Sequence, residues 1–241
     1  MIKYDVLTLF PQMYSGFLSE SLINKAIQNQ KIQINLINFR DFSENIHHTV
    51  DNYAYSGGAG MLISVEPVHK ALQSIEGFKE ATKILVTPSG KMLTQEKVIE
   101  LAKKEHLIII CGHYEGIDER ISEYVDEEIS IGDYILMGGE IPSMAIIEAT
   151  ARLVPGVISL ESTIDESFSN GILEYPQYTR PKDYDGKSVP DVLLTGDHAK
   201  IEAYKHYQAL KKTYLNRPDL LKKAHLSLND YQMLWEIKNE K

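Results

Sequence analysis

The segment from Ser130 to Glu140 constrains this chain more than any other part of its sequence. It reads SIGDYILMGGE and places Gly132, Gly138 and Gly139 among apolar side chains, between a strand-like run and a helical pattern. The segment is too apolar for a solvated loop and too rich in glycine for a regular element. Because glycine lets the backbone approach a ligand closely or adopt a positive φ, such a loop suits a small-molecule cofactor. The alternative interpretation is a tight packing turn.

A second loop of similar character lies about twenty residues upstream. It reads CGHYEGIDER from Cys111 to Arg120, and it also follows an apolar run. Two such loops around one helical pattern favour a cofactor site over two unrelated packing turns.

Strand-like and helical patterns alternate along most of the chain. Apolar runs predict strands over 4–10, 32–37, 83–87, 106–111 and 128–131. Helical spacing predicts helices over 21–28, 67–75, 94–104, 115–125 and 141–153. The third strand is predicted to end at Pro88, and residues 41–61 form a long polar loop, which is usually functional or mobile. Alternation of this kind predicts an α/β fold, a parallel sheet with helices on both faces.

The character of the chain changes after Pro155. Residues 159–171 are rich in Ser, Thr, Glu and Gly and predict a flexible linker. Helical patterns then recur over 197–214, 218–221 and 229–239. We therefore predict a cofactor-binding domain at 1–158, the linker, and a small, mostly helical domain at 172–241.

Composition favours a cytoplasmic protein without a membrane segment. No apolar run approaches the roughly 20 residues that a membrane helix needs. Cys111 is the single cysteine, so it forms no intramolecular disulfide and no metal cluster, and we predict no metal-ligating residues. The net charge of −9 argues against general nucleic-acid binding, but residues 171–241 hold 12 Lys and Arg against 10 acidic residues. That balance allows a local basic patch for phosphate, or simply a solvated helix face.

The two glycine-bearing loops closely resemble those of the bacterial tRNA (guanine-N1)-methyltransferase family, TrmD, of the SPOUT superfamily. Shorter motifs follow the same order: LFP at 9–11, RDF at 40–42, HTVD at 48–51, YSGGAGM at 55–61, PGV at 155–157 and YTRP at 178–181. Any one of them could arise by chance, but this order and spacing are specific. The resemblance covers nearly the whole chain.

The resemblance implies features that periodicity does not show. Pattern alone would give an unknotted sheet, because knots are very rare. The family's cofactor-binding domain instead carries a trefoil knot in its C-terminal part, formed by the cofactor loops. The family also acts as a homodimer on tRNA, with the tail domain of one subunit near the cofactor of the other.

The resemblance further implies S-adenosylmethionine as cofactor, held largely by backbone groups. No GxxxxGK[ST] loop is present for a nucleoside triphosphate, which leaves the later loops as the nucleotide-like site. Carried over by position, the cofactor-binding residues are Val86, Thr87, Pro88, Gly112, Tyr114, Glu115, Ile131, Gly132, Asp133, Tyr134, Ile135, Leu136, Gly138, Gly139 and Pro142.

Methylation of guanine N1 requires a base, because that nitrogen carries a proton. The family's base is an aspartate directly before Ser-Phe in the linker. Here Glu166 holds that position and Asp165 precedes it. We favour Glu166 over Asp165 as the catalytic base. Without the resemblance, both residues would be interpreted as solvated acids of the linker. By resemblance, Arg152 matches the arginine that stabilises negative charge on guanine O6. Without the resemblance, Arg152 would be interpreted as a cation that the helix dipole favours at a helix C-terminus.

The remaining expectations concern the substrate and a possible metal ion. By resemblance, the loop with His48, Asp51, Tyr55, Gly57 and Gly58 helps to hold the target guanine, and without the resemblance it is a polar surface loop. Arg180 has two interpretations, pairing with a phosphate group or with an acidic residue. Glu115 has two interpretations, contact with the cofactor's amino group or with Mg²⁺, which usually takes few carboxylate ligands. We interpret His113 as lining the surface or facing RNA and not as the base.

The sequence as a whole predicts an enzyme that methylates N1 of guanine 37 in tRNA, next to the anticodon. One alternative is a SPOUT methyltransferase that acts on another RNA or another base. Another is a non-catalytic RNA-binding module that keeps the knot and has lost its base. Glu166 in place of aspartate keeps that alternative open, while the intact cofactor loops argue against it.

Overall fold

The first of two compact units contains a five-stranded parallel sheet. The computed structural model describes residues 1–159 and 166–239, and the units are Met1–Ser159 and Leu160–Lys241. The strands of the first unit are β1 (Ile2–Thr8), β2 (Ile32–Asn38), β3 (Asp51–Asn52), β4 (Leu62–Ile63), β5 (Thr82–Met92), β6 (His106–Cys111) and β7 (Glu127–Ser130). The sheet has the order β2-β1-β6-β5-β7 with every neighbouring pair parallel, while β3 and β4 form a separate antiparallel pair. The predicted α/β class is confirmed.

Helices cover both faces of this sheet. They are α1 (Ser15–Ser19), α2 (Ser21–Gln28), α3 (Val65–Gln73), α4 (Gln95–Leu101) and α5 (Glu140–Ala151). Side chains of β6 alternate between two buried clusters, as successive residues of a strand must. Leu107 and Ile109 join a cluster with α2 and α5, while Ile108 and Ile110 join one with α3. The sheet is therefore buried on both faces, which explains why its central strand is a continuous apolar run.

Two of the predicted elements are wrong in a way that affects the candidate site. The strand expected to end at Pro88 continues to Met92, because the chain returns to the sheet after an excursion. The helix expected over 115–125 is a turn followed by a 3₁₀ helix at Glu119–Tyr124. The other predicted elements of the first unit are present, 21–28 and 106–111 with the predicted ends and the rest with shifted ends.

The second unit is described by its helices and one short hairpin. It contains β8 (Asp183–Tyr184), β9 (Lys187–Ser188), a 3₁₀ helix at Asp191–Leu194, α6 (His198–Asn216), α7 (Pro218–Leu221) and α8 (Leu228–Asn239). A capping box begins α8, since the Asp230 amide donates to Ser227 Oγ while the Ser227 amide donates to the Asp230 carboxylate. Within the described parts of both units, no helix has the length and apolar character needed to cross a membrane.

Candidate active site

A cavity of about 570 Å³ lies in the first unit beside the excursion of β5 and the ends of β6 and β7. Ligands of α/β proteins bind outside the carboxyl ends of the strands, and this volume suits a small molecule. The predicted cofactor-binding residues that line it are Val86, Thr87, Pro88, Gly112, Tyr114, Glu115, Ile131, Gly132, Tyr134, Ile135, Leu136, Gly138, Gly139 and Pro142. Asp133 is exposed and does not line the cavity.

The first wall of the cavity is an excursion of β5. Val86 and Lys91 both pair with Ile129 of β7, so residues 87–90 lie outside the strand register. Thr87 and Ser89 face each other there, with 3.0 Å between their hydroxyl oxygens. The proline thus marks a bend within the strand, and the bend places hydroxyl groups at the cavity.

The second and third walls are joined by backbone hydrogen bonding. The amide of Gly139 donates to the carbonyl oxygen of Gly112 across 2.8 Å, and His113 forms a β-bridge with Gly138. Gly139 is buried, and a Cβ there would lie 2.7 Å from Cys111 Cα. Glycine at 139 is therefore a requirement of this close approach.

The third loop presents apolar and aromatic side chains. Ile135 and Met137 are 79% and 90% exposed, and Tyr134 is 53% exposed. The loop turns on Ser130, whose hydroxyl contacts both the amide and the carbonyl of Gly132. Large exposed apolar side chains of this kind indicate a surface that a ligand or a second chain covers.

A buried polar layer supports the cavity from below. The hydroxyl of Tyr14 lies 2.5 Å from Ser143 Oγ and 3.5 Å from Cys111 Sγ. Burial raises the pKa of the Cys111 thiol to about 12 and also raises the pKa of Tyr14. Both groups stay protonated at neutral pH, so this layer supplies hydrogen bonds and no nucleophile.

The glycine-rich loop at 55–61 reaches the edge of the cavity through Glu115. The Glu115 amide donates to the Met61 carbonyl across 3.1 Å, and a Cβ on Gly60 would overlap the Glu115 side chain. The predicted substrate-binding residues Tyr55, Gly57 and Gly58 are exposed and do not line the cavity. Gly57 and Gly58 have φ values of +73° and +111°, in a region of backbone conformation that favours glycine.

The other predicted substrate-binding residues are scattered. His48 is exposed, and its carbonyl accepts a hydrogen bond from the Arg40 side chain. Asp51 is half-buried in β3, where it pairs with Ile63. Arg180 is exposed in the second unit, before Pro181.

Neither Arg152 nor Glu166, the two predicted catalytic residues that the structure describes, lines this cavity. Arg152 is half-buried at the C-terminus of α5, where its amide donates to the Glu148 carbonyl across 3.2 Å. Glu166 is half-buried in the second unit, where it lines a small cavity of about 110 Å³ together with Lys205 and His206. Asp165 lies outside the described residues.

The family is decided by a match that covers most of the chain. The family model described as tRNA (Guanine-1)-methyltransferase TrmD matches residues 2–223. The chain belongs to this family. The resemblance inferred from the loop motifs is confirmed.

Curated members of the TrmD family match the chain over almost its full length. A protein of Dictyoglomus turgidum is 49% identical over 241 residues, which is 100% of this chain and 98% of the relative. Proteins of Staphylococcus aureus strains MRSA252 and JH9 are 49% and 48% identical over 239 residues, which is 98% of each chain. All three carry the name tRNA (guanine-N(1)-)-methyltransferase.

The sequence did not predict several of the residues that line the cavity of this TrmD-family chain. They are Leu85, Ser89, His113, Gly116, Ile117, Asp118, Glu119, Ser122, Glu128, Ser130 and Met137. Five of these eleven residues lie within 115–125, the stretch that was predicted as a helix. The motif GID was the available signal, because the Asp118 side chain accepts from the Arg120 amide and turns the chain. The side chain of Arg120 also lowers the pKa of Asp118 by hydrogen bonding.

Proposed function

We propose that this chain transfers the methyl group of S-adenosylmethionine to N1 of guanine 37 in tRNA. Family membership supports methylation of a tRNA guanine. The observation that carries the proposal is the convergence of three glycine-bearing loops on one cavity at the strand ends. The identity of the cofactor and the position of the guanine rest on the resemblance.

The cavity has the chemistry that the cofactor needs. Gly112 and Gly138 line the cavity and carry no side chain that would cover the backbone there, while the Gly112 carbonyl is already bonded to the Gly139 amide. Ile131, Ile135 and Leu136 supply apolar faces for an adenine ring. When bound, S-adenosylmethionine supplies an electrophilic methyl group on its sulfonium sulfur. The residues of the cavity then orient that methyl group and exclude water from it.

We assign the proton transfer to a carboxylate of the predicted linker at 159–171. Guanine N1 must lose its proton before or during attack, and a carboxylate becomes an effective base when its site desolvates it. Glu166 is half-buried, which is consistent with partial desolvation. Arg152 would stabilise the negative charge on O6, since its guanidinium is permanently charged and planar.

We also propose that the first unit is knotted and that the chain forms a homodimer. The pairing of Gly139 with Gly112 and the return of β5 to Ile129 support interlocked loops, which a knot requires. The exposed Ile135 and Met137 support a surface that a second copy covers. The homodimer would let the cofactor cavity and Glu166 act together even from different subunits. We place the protein in the cytoplasm, where its tRNA substrate would be found.

We propose no ligands for a magnesium ion. The described residues contain no group of three His, Cys, Asp or Glu side chains that could hold a metal ion. Glu115 is proposed as a contact of the cofactor's amino group, and we assign no step of the reaction to a metal.

The test is methyl transfer from labelled S-adenosylmethionine to two tRNA transcripts that differ only at position 37. We expect transfer to the transcript with guanine and none to the transcript with adenine, with the product identified as N1-methylguanine. Equal labelling of both transcripts would indicate a different target base. Cofactor binding and tRNA binding without any transfer would identify a non-catalytic RNA-binding module.

A further inference from the structure

Glu140 is a buried carboxylate that the proposed reaction does not use. It is the first residue of α5 and is 1% exposed. Removal of a carboxylate from water is costly unless partners replace the water. One partner is Thr8 at the end of β1, whose hydroxyl donates to Glu140 Oε1 across 2.8 Å. The N-terminus of a helix also favours a negative charge.

The second oxygen of Glu140 faces a nitrogen that has no partner. Nδ1 of His113 is buried and forms no hydrogen bond with any described residue. It lies 3.7 Å from Glu140 Oε2, which is beyond hydrogen-bonding distance. A small approach of the two groups would form a charge-assisted hydrogen bond of about 2.8 Å. The unpartnered nitrogen of His113 thus has a carboxylate oxygen 3.7 Å away that could accept a hydrogen bond from it.

This pair lies across the junction of two cavity walls. A Cβ on Gly138 would overlap both His113 Nδ1 and Glu140 Oε2, so the absence of a side chain at 138 makes room for the pair. The same junction carries the Gly139–Gly112 hydrogen bond. His113 belongs to the loop at 112–115, and Glu140 directly follows the turn at 138–139. The distance between the two side chains therefore changes when the loop and the turn move relative to each other.

His113 transmits its position to the cavity through ring contacts. Its ring centroid lies 4.7 Å from that of Phe10 and 5.4 Å from that of Tyr114, which lines the cavity. A shift of His113 toward Glu140 would thus move Tyr114.

We propose that Glu140 is a positioning residue for the cofactor loops. Held by Thr8, its Oε2 faces His113 across 3.7 Å in the ligand-free protein, and cofactor binding closes this gap into a hydrogen bond. This inference rests on the proposed function in naming S-adenosylmethionine as the ligand.

The first test uses the protein without ligand. In Glu140→Gln, the volume and the bond from Thr8 persist, but the atom that faces His113 becomes an amide nitrogen. We expect faster hydrogen exchange at the Gly139 amide and unchanged exchange at the Leu173 amide, which is bonded to Thr213 in the second unit. Unchanged exchange at Gly139 would overturn the positioning role.

The second test is a double-mutant cycle on the dissociation constant for S-adenosylmethionine. Glu140→Gln and His113→Gln should each weaken binding by about tenfold, the worth of one charge-assisted hydrogen bond, and the double variant should bind no more weakly than either. At saturating cofactor, kcat of Glu140→Gln should stay within about twofold of the parent, because this change alters cofactor affinity and not the methyl-transfer step. His113 is partly exposed, so its variant remains informative if Glu140→Gln fails to fold. Glu148→Gln, on the exposed face of the same helix, is the matched control.

Additive losses, or a neutral His113→Gln, would refute the coupling. If the parent protein binds S-adenosylmethionine but methylates no tRNA, the proposed function fails and the cycle still judges the positioning role. If the parent binds no S-adenosylmethionine, the proposed function and the cofactor-driven closure both fail, and the exchange experiment alone decides whether Glu140 positions the loops.

Discussion

Gly90 of β5 lies directly against the backbone of Ile129 in β7. A Cβ on Gly90 would lie 2.5 Å from the Ile129 nitrogen, a distance that real Cβ atoms do not reach. The contact occurs where β5 rejoins the sheet after its excursion at residues 87–90. The first wall of the cavity therefore depends on glycine at a position that the sequence alone does not single out.

Gly90→Ala should lower the free energy of unfolding by about 1–3 kcal/mol, because the added methyl group meets backbone and the strand must shift. Thermal or urea unfolding would measure the change. Gly16→Ala is the control, since a Cβ at Gly16 meets no atom within 4 Å. Equal stability of the two variants would show that β5 and β7 separate freely at this point.

Gly139→Val should abolish binding of S-adenosylmethionine while leaving the second unit folded. Its side chain would push against Cys111 and Gly112 and displace the second cavity wall. Calorimetry would measure the affinity, with circular dichroism to confirm folding and Gly16→Val as the control. Unchanged affinity would mean that the ligand binds elsewhere.

Periodicity predicted the first unit well where side-chain burial decides the structure. The run from His106 to Cys111 is a strand as predicted, because every second residue enters one of two buried clusters. Periodicity failed at residues 115–125 for a physical reason. Ile117, Ile121 and Val125 are spaced like one face of a helix, but Ile117 pairs with Ile63 across the chain. A contact so distant in sequence leaves no local signal.

The sequence predicted the glycine-bearing loops of the candidate site but not the contacts that hold those loops in place. The glycine loops have an unusual local composition, so they stand out in one sequence. The excursion of β5 after Val86 has no unusual composition, because it depends on the pairing of Ile129 with both Val86 and Lys91. The partnership of Thr8 with Glu140 spans 132 positions and is equally invisible to pattern analysis.

Asp230→Asn should destabilise the second unit by about 1–3 kcal/mol at neutral pH. The carboxylate lies 2.5 Å from His206 Nε2 and accepts from both the amide and the hydroxyl of Ser227. Burial acts to raise the pKa of Asp230, but the hydrogen bonds from His206 and Ser227 outweigh it and lower the pKa below 3.8.

The pH dependence of this effect follows from the direction of that shift. Because the pKa is lower in the folded state, the carboxylate stabilises the fold above pH 3.8 and loses this effect as the pH falls through the folded pKa. Unfolding measured at several pH values should therefore show the parent and the Asn variant converging in acid. Asp191→Asn is the control, since that side chain is 91% exposed. A difference that grows in acid would contradict the assignment.

Mixed dimers should reveal whether Arg152 and Glu166 act from different subunits. Arg152→Ala and Glu166→Gln should each be inactive as pure proteins. When the two are mixed, a site shared between subunits would place both intact residues together in one of the two sites of a heterodimer. Methyl transfer should then recover to a fraction of the parental rate. Failure to recover activity in verified heterodimers would place both residues in the same subunit.

Glu166→Gln should slow methyl transfer by about 10²–10⁴-fold, the usual worth of a positioned base, while cofactor affinity is preserved. The amide keeps the size of the side chain and its hydrogen bonding but cannot accept the guanine proton. Single-turnover rates at several pH values would separate this step from product release. Asp165→Asn is the matched comparison and should have a smaller effect. A normal Glu166→Gln with an inactive Asp165→Asn would move the base by one position, and normal rates in both variants would return these acids to the role of solvated charges.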